Sequence, residues 1–358
     1  GVDALPFLNR LVTRDVAKIK PGKVGYCVWC DDNGQVIDDG TIFHLREGVY
    51  RLCSQERQLD WLTRNAFGFD VTIVEDTHDV AALALQGPRA KEVLRNLVGS
   101  AIDGLKFFRA LETRLPGKNG GALTITRTGY TGDLGYELWV ENALAVPLWD
   151  ALLEAGKQQG LLPMGLDALD VSRVEAGFLL GGVDYTSARR APIERQKSTP
   201  FELGFEWMVE LEREPFVGRE ALARAKAAGP TRRFVGLEID WQDFERIHEL
   251  YQLPPHLETG TSREGVPLYR GGRQVGYATS RSWSPLLKRY LALATIDADL
   301  ATPETELEIE VTCEYERHRA RARVQRKVVG PANVVGPANS VAAERSLQRH
   351  VLIPPPPL

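Results

Sequence analysis

The apolar positions in the first half of the chain repeat a pattern of helices and strands. Residues 1–11 and 87–97 both carry apolar side chains at helical spacing. Runs of alternating polarity between and after them predict short strands that are separated by turns. Helices are expected at 1–11, 56–65, 87–97, 145–156 and 166–177, and strands at 25–30, 35–45, 49–53, 69–75, 107–114, 122–127 and 135–140. Two α+β units with antiparallel sheets are therefore predicted up to about residue 185.

The second half of the chain has shorter apolar runs with turn residues between them. Strands are expected at 234–239, 266–269, 274–279, 290–296 and 307–311, which predicts a small β-barrel or sandwich. A connecting stretch at 185–225 ends in a turn and a short helix. The predicted division is an α+β region at 1–225, a C-terminal barrel at 232–326 and a low-complexity tail at 327–358, where VVGPAN is repeated.

The first predicted hairpin contains a turn signal and a pair of cysteines. The Asn33-Gly34 pair predicts a tight turn in which both central residues have positive φ. Cys27 and Cys30 lie three residues apart in a predicted strand, so their thiols should point to opposite faces. Metal or redox chemistry at this C-x-x-C pair is therefore disfavoured, and a reduced, cytoplasmic protein is expected.

Composition narrows the classes of function. The chain has 358 residues, of which 43% are hydrophobic and 26% are charged, as in an ordinary globular protein. The net charge of −4 argues against nucleic acid as a partner, since no strongly basic region stands out. No apolar run reaches the roughly 18 residues of a membrane helix, so a membrane is not expected as a partner either.

The Asp38-Asp39-Gly40 run inside a predicted strand is the first candidate site. Strand alternation places Ile37, Asp39 and Phe43 on one face and Asp38 on the other. Whichever face is inward, one carboxylate points towards it and needs partners or a raised pKa. Gly40 is typical of a bulge or of a close approach of the backbone to a ligand. A solvated strand end remains the alternative.

A glycine-rich hairpin at 127–137 is the second candidate. Its glycines at 129, 132 and 135 permit positive φ and close approach of a ligand. Tyr130 offers a ring face, and Glu137 can accept two parallel N–H bonds from an aminopyrimidine edge. An ordinary glycine-rich hairpin is the alternative. Arg173, near the end of an apolar helix, is a third candidate that either binds a ligand or pairs with neighbouring side chains.

These segments together resemble the glycine-cleavage T-protein family, which comprises tetrahydrofolate-dependent aminomethyltransferases and demethylases. The resemblance rests on six stretches in family order: 33–39, 85–90, 127–137, 173–177, 216–222 and 275–286. It covers residues 1 to about 325 and implies a three-lobed α+β fold with a central folate channel and a C-terminal β-barrel. It implies tetrahydrofolate as the cofactor, and a small methyl or aminomethyl donor or a lipoyl carrier protein as the partner.

The resemblance also implies roles for particular residues. Asp39 matches the family's catalytic carboxylate beside the folate nitrogens. The residues that match folate-binding positions are Glu137, Tyr130, Cys53, Gln55, Phe43, Arg173 and Trp207. Cys53 and Gln55 stand where the family usually has Val and Asn. No metal ligands are expected.

Several departures from the family pattern bear on the donor. Leu169 stands where aminomethyltransferases usually have an Arg, and Gly181-Gly-Val-Asp184 lacks the family's Asn. Both changes resemble the demethylase branch, such as the sulfonioacid demethylases. The family's usual amino-terminal segment is expected to be missing ahead of Gly1. A non-catalytic folate-binding module, or the folate domain of a larger oxidase or demethylase complex, is the alternative function.

Donor specificity is expected in the stretch 181–207. Its arginines Arg189, Arg190 and Arg195 predict either an anionic donor or a solvated basic segment.

Overall fold

The computed structural model describes residues 1–117 and 120–325. Its helices are α1 (Ala4–Leu11), α2 (Leu59–Asn65), α3 (Ala90–Val98), α4 (Ala145–Gly156), α5 (Leu166–Ala176), α6 (Arg219–Ala228) and α7 (Trp241–Glu249). The strands in the first half are β1 (Lys23–Cys30), β2 (Val36–Arg46), β3 (Val49–Ser54), β4 (Val80–Gln86), β5 (Ala110–Arg114), β6 (Ala122–Thr126) and β7 (Gly135–Glu141). Those in the second half are β8 (Arg232–Ile239), β9 (Val266–Arg270), β10 (Arg273–Ser284), β11 (Arg289–Asp297), β12 (Glu306–Cys313) and β13 (Glu316–Val324). The predicted tail at 327–358 lies outside the described residues.

The strands form three antiparallel sheets, which confirms the predicted α+β class. One compact unit contains residues 1–75 and the described chain from Gly165 onwards. It holds a three-stranded sheet of order β1-β2-β3 and a closed barrel of order β10-β11-β8-β13-β12-β9. The other unit, Asp76–Met164, holds a four-stranded sheet of order β4-β7-β6-β5. The C-terminal strands thus close into a barrel rather than a sandwich. None of the described helices is long and apolar enough to cross a membrane.

The β1–β2 hairpin forms where Asn-Gly predicts it, but its turn has a different geometry. Gly34 has a φ of 72°, whereas Asn33 does not have positive φ. The Asp31 carboxylate accepts hydrogen bonds from the backbone N–H groups of Asn33 and Gln35, both at 2.9 Å. The prediction of two positive φ angles was wrong because this side chain stabilises a longer loop, with a single glycine in the left-handed region.

A β-bulge in β2 corrects the predicted faces of the strand. Asp38 pairs with Trp29, but the next residue of β1 pairs with Val36, so Ile37 is the extra residue. Ile37 consequently packs in the same core cluster as Trp29, on the side opposite Asp39. The prediction that Ile37 shares a face with Asp39 was wrong, since a bulge reverses the alternation that simple counting assumes.

The two cysteines of the C-x-x-C pair behave as strand geometry predicts. Cys27 packs in the cluster that contains Trp29, while Cys30 packs in a different cluster with Val28. Both thiols are buried and free. Their side chains point to opposite sides of β1, which confirms the interpretation of this segment as a strand.

Other element predictions need correction. The strand predicted at 69–75 does not form: residues 70–76 have no regular secondary structure, although Val71 and Ile73 are partly buried against the cluster that contains Trp29. The strand predicted from residue 107 begins only at Ala110, because Phe108 has a φ of 53° and cannot continue a strand. The sequence patterns also missed β4, β13 and α7.

Candidate functional site

A carboxylate held between two phenols is the main polar feature of the first sheet. Asp39 lies in the middle of β2 and is partly buried. The hydroxyl of Tyr26, on β1, donates to one oxygen of Asp39, and the hydroxyl of Tyr185 donates to the other. The pKa of Asp39 is raised to about 6, mainly by burial; the charge of Asp38 also raises this pKa, while the hydrogen bonds from the two phenols lower it.

Asp38 is more deeply buried than Asp39 and is fixed by a separate set of donors. It is 3% exposed. Its oxygens accept hydrogen bonds from the Gln58 side chain at 3.1 Å, the Glu56 backbone at 3.2 Å and its neighbour's backbone at 2.9 Å. The Tyr185 hydroxyl lies 3.4 Å from Asp38 Oδ1. Both carboxylates are therefore enclosed by hydrogen-bond donors. The alternative in which Asp38-Asp39-Gly40 is a solvated strand end does not describe this structure.

Gly40 is explained by the neighbouring strand rather than by a ligand. A Cβ atom at this position would lie 2.0 Å from the backbone oxygen of Cys53 on β3. Only glycine permits this approach, so the glycine helps to keep β3 against the strand that carries Asp39.

The other predicted site residues near this sheet, Phe43, Cys53 and Gln55, differ in their exposure to solvent. Phe43 and Cys53 share the Asp39 face of the sheet, since Cys53 pairs with Thr41; Phe43 is 1% exposed. Gln55 is exposed and donates to the Gly181 carbonyl at 2.8 Å.

Trp207 packs beside Tyr26, with ring centroids 6.3 Å apart. Its indole N–H is buried, and no described residue accepts a hydrogen bond from it.

Arg173 occupies a structural position. Its side chain is 1% exposed and lies 2.6 Å from Asp170 and 2.5 Å from Asp184. It also donates to the Ser280 hydroxyl on β10 at 2.8 Å. Because its donors are used within the fold, the geometry favours the alternative in which Arg173 pairs with its neighbours over direct contact with a ligand.

The arginines considered for an anionic donor are also paired in part. Arg189 forms a two-pronged ion pair with Asp60, and Arg190 forms one with Glu56 at 2.9 and 2.7 Å. Arg195 is exposed. Both Arg189 and Arg190 are exposed, and each links the chain after Tyr185 to an acidic residue at or just before α2. The anionic donor and the solvated basic segment both stay open as predictions.

In the second unit, Glu137 lies on the face of β7 that points away from the hydrophobic core. It is partly buried, and burial raises its pKa. The Thr128 hydroxyl donates to Glu137 Oε2 at 2.7 Å, and the Thr126 hydroxyl lies 2.7 Å from that of Thr128. A carboxylate has room for about four hydrogen bonds, so Glu137 retains acceptor capacity for a ligand.

The glycines of the predicted hairpin make room for a side chain. Cβ atoms at Gly129 and Gly135 would lie 2.1 and 2.0 Å from Gln86 Oε1. Gln86 accepts from Thr131 at 3.1 Å and donates to a backbone carbonyl of β7 at 3.2 Å. Tyr130 is partly buried in the same loop. Gly129 and Gly135 are thus explained by packing against Gln86, which the sequence interpretation did not consider, whereas Gly132 has the positive φ that was predicted, at 74°.

Sequence reasoning also missed Tyr26 and Tyr185. Tyr26 could have been found by counting back from the hairpin, because it pairs with Thr41 on the Asp39 side of the sheet. Tyr185 gives no such signal, since it reaches Asp39 from a segment 146 residues away.

The three sheets and the enclosed aspartate define an α+β protein with a C-terminal barrel and a polar site on its first sheet. Two family models match the chain: the GCVT N-terminal domain over residues 1–213 and the glycine cleavage T-protein C-terminal barrel domain over residues 232–329. The chain therefore belongs to the glycine-cleavage T-protein family.

Similar proteins support the same assignment. An aminomethyltransferase of Geobacillus sp. (strain WCH70) is 33% identical over 312 residues, which are 86% of this chain and 78% of that protein. One from Halothermothrix orenii is 34% identical over 307 residues, 85% of this chain and 78% of that protein. The crystal structure of glycine cleavage system aminomethyltransferase T from Bartonella henselae matches with a TM-score of 0.73 at 26% identity, and the match covers 92% of this chain and 82% of that one.

Proposed function

We propose that this protein is a tetrahydrofolate-dependent aminomethyltransferase, with a lipoyl carrier protein as the source of the aminomethyl group. The activity named for its relatives supports the reaction class. The single observation that carries the proposal is the enclosed Asp39, whose pKa near 6 lets it gain or lose a proton close to neutrality.

Asp39 supplies the electrostatic part of the reaction. As a carboxylate in a partly buried site, it stabilises the positive charge that develops on the amine of the donor. With a pKa near the working pH, it also exchanges a proton with that amine. Tyr26 and Tyr185 hold its two oxygens in fixed positions, so that little reorganisation is needed during the reaction.

Glu137 is the proposed anchor for the pterin ring of tetrahydrofolate. Its remaining acceptor capacity fits the two parallel N–H groups of an aminopyrimidine. Thr128 fixes the orientation of the carboxylate at 2.7 Å. Bound tetrahydrofolate would supply the nucleophilic nitrogen that accepts the one-carbon unit.

Because the chain departs from the family pattern, demethylation is the second candidate reaction and has to be tested beside aminomethyl transfer. Leu169 on α5 cannot replace the charge of an arginine, and this difference favours the demethylase branch. A donor screen should therefore compare an aminomethylated lipoyl carrier with small methylated sulfonium and amine compounds, and should measure methylene- or methyl-tetrahydrofolate. Product from the carrier supports aminomethyl transfer, whereas product only from a methylated compound replaces it with demethylation.

Folate binding can be tested separately from turnover. Glu137→Gln should weaken tetrahydrofolate binding by about 10-fold or more, because a charge-assisted pair of hydrogen bonds is lost. Glu112→Gln, at an exposed position on β5, is the matched control.

Asp39→Asn should bind tetrahydrofolate normally but lose turnover. Full activity in that variant would refute the role of Asp39, and absence of binding by the wild-type protein would refute the folate proposal. Binding without turnover of any donor would instead favour the non-catalytic folate-binding module.

A further inference from the structure

We propose that Tyr185 is a positioning residue that fixes Asp39 and sets the pH at which it ionises. Its role in catalysis rests on the function proposed for Asp39; its effect on the ionisation of Asp39 does not. The direct observation is geometric: the Tyr185 hydroxyl donates to Asp39 and lies 3.4 Å from Asp38 Oδ1. One phenol thus faces both carboxylates of the pair.

The chain on either side of Tyr185 is firmly held. On the amino-terminal side, Asp184 accepts hydrogen bonds from Thr279 at 2.5 Å, from Ser280 at 2.8 Å and from the buried Arg173 at 2.5 Å. These contacts tie the residue next to Tyr185 to barrel strand β10 and to helix α5. The position of the phenol is therefore determined by the barrel side of this unit.

On the carboxyl-terminal side, three further contacts complete the attachment. The backbone N–H of Ala188 donates to the Val36 carbonyl, at the start of β2, at 2.8 Å. Arg189 and Arg190 form the ion pairs with Asp60 and Glu56 described above. We call residues 178–190 the tyrosine strap. Both ends of the strap are anchored, so the Tyr185 hydroxyl is presented to Asp39 without a large loss of conformational freedom.

The strap also makes room for the hydroxyl. Gly181 lies beside it, and a Cβ atom there would lie 3.2 Å from the Tyr185 oxygen. The backbone N–H of Gly182 donates to the Tyr185 carbonyl at 2.8 Å, which fixes the backbone of this turn. Burial raises the pKa of Tyr185, and the nearby carboxylates raise it further, so the phenol remains a neutral donor.

Several neighbouring groups change the pKa of Asp39; some raise it and others lower it. The titratable groups that act on Asp39 are Asp38 on β2, Tyr26 on β1 and Tyr185; the Cys27 thiol on β1, which Arg14 and Cys53 also influence, senses the charge of Asp39. The two phenols lower the pKa of Asp39, with the larger effect from Tyr185, while Asp38 raises it. Removing the Tyr185 hydroxyl should therefore raise the pKa of Asp39.

The test is the Tyr185→Phe variant, which removes one oxygen and retains the ring. A lost hydrogen bond to a charged group corresponds to a shift of about one pH unit. The acidic limb of the kcat/KM profile should move upward by about that amount, with tetrahydrofolate affinity unchanged. Activity should largely recover at pH 8.5 but fall several-fold at pH 6.5. A uniform loss at every pH, or an unmoved limb, would overturn the proposal.

A spectroscopic readout separates this proposal from the proposed function. Infrared titration of carboxyl groups, with the Asp39 signal identified by its loss in Asp39→Asn, reports ionisation without any turnover. Tyr185→Phe should raise the midpoint of that signal. Tyr251→Phe is the matched control, because its hydroxyl donates to Glu316 at 2.9 Å on the barrel and should leave the signal unchanged. If no donor is turned over but the midpoint shifts, the function fails and the positioning role stands; an unshifted midpoint refutes the positioning role whatever the activity.

Discussion

Replacing Asp39 with Asn should remove turnover and stabilise the protein at neutral and alkaline pH. Burial raises the pKa of Asp39 from 3.8 to about 6. A group whose pKa is raised by folding stabilises the native state below its unfolded pKa, and this contribution is lost as the pH rises through its folded pKa. At pH 8 the ionised carboxylate is therefore a cost to the fold, and the uncharged amide of the variant avoids it.

The magnitude follows from the size of the shift. Since one pKa unit corresponds to about 1.4 kcal/mol, a shift of roughly two units sets an upper bound of about 3 kcal/mol. Asp39 is only partly buried, so solvent screening lowers this value. The amide must also be accommodated by the phenols. Tyr185 can turn its hydroxyl towards Asp38, at 3.4 Å, and accept a hydrogen bond from the new NH2 group. The expected gain is about 1 kcal/mol, or about 1–2 °C in Tm for a chain of this length.

Thermal unfolding of the wild-type protein and the variant at pH 8 and pH 5 measures this effect. The variant should melt higher at pH 8, and the difference should shrink at pH 5, where Asp39 is largely protonated in the wild-type protein. Asp150→Asn, which removes an exposed carboxylate from α4, controls for the change in net charge. A Tm difference that does not depend on pH, or a variant that melts lower at pH 8, would refute the reasoning.

Three further predictions concern neighbouring structure. Arg173→Met should lower the free energy of unfolding by about 3–5 kcal/mol in urea titrations, because buried carboxylates lose their partner; an unchanged midpoint would contradict this. Gly135→Ala should cost about 1–2 kcal/mol by displacing Gln86, and a double-mutant cycle with Gln86→Ala should show that the two losses are not additive. Asp38→Asn should move the acidic limb of the kcat/KM profile downward, since its charge raises the pKa of Asp39; an upward movement would refute this coupling.

The sequence predicted most of the regular elements because their apolar periods are strong. The α4 helix matches its predicted range, and α5 ends at Ala176, where Gly177 takes a φ of 72° as a helix stop. The β13 strand was missed for a physical reason. Its inward positions include Ala320 and Ala322, whose small side chains fill the barrel interior but give a weak hydrophobic signal between arginines.

The faces of β2 could not be predicted because a bulge carries no reliable sequence signal. Counting by twos put Ile37 on the same face as Asp39, but Ile37 is the extra residue of the bulge and shifts the register by one. The alternation from Asp38 onward is preserved, so Asp39 and Phe43 share a face as expected. A local prediction can thus be correct on each side of a bulge and wrong across it.

The candidate site shows which residues local sequence patterns can and cannot identify. Asp39 was chosen because it interrupts a predicted strand, and Glu137 because it lies at the start of the return strand of a glycine-rich hairpin. Both are local signals, and the resemblance then implied roles for these residues. Tyr185 carries no local signal, because its importance depends on a contact with Asp39 across 146 positions of sequence. Arg173 stood in a matching motif, and its folate role stays a prediction; the structure adds that its side chain is buried between Asp170 and Asp184.

The tyrosine strap links the burial of Asp39 to the contacts that hold Tyr185 in place. Enclosing Asp39 raises its pKa towards neutrality, which makes it useful for proton exchange and also destabilises the fold when it is ionised. The tyrosine strap opposes that destabilisation, since the Tyr185 hydroxyl stabilises the ionised form. The attachment of Asp184 to the barrel helps to hold the strap in the position from which Tyr185 reaches Asp39. Loss of Arg173 should therefore affect both the stability of the fold and the ionisation of Asp39, since Arg173 holds Asp184, the residue next to Tyr185.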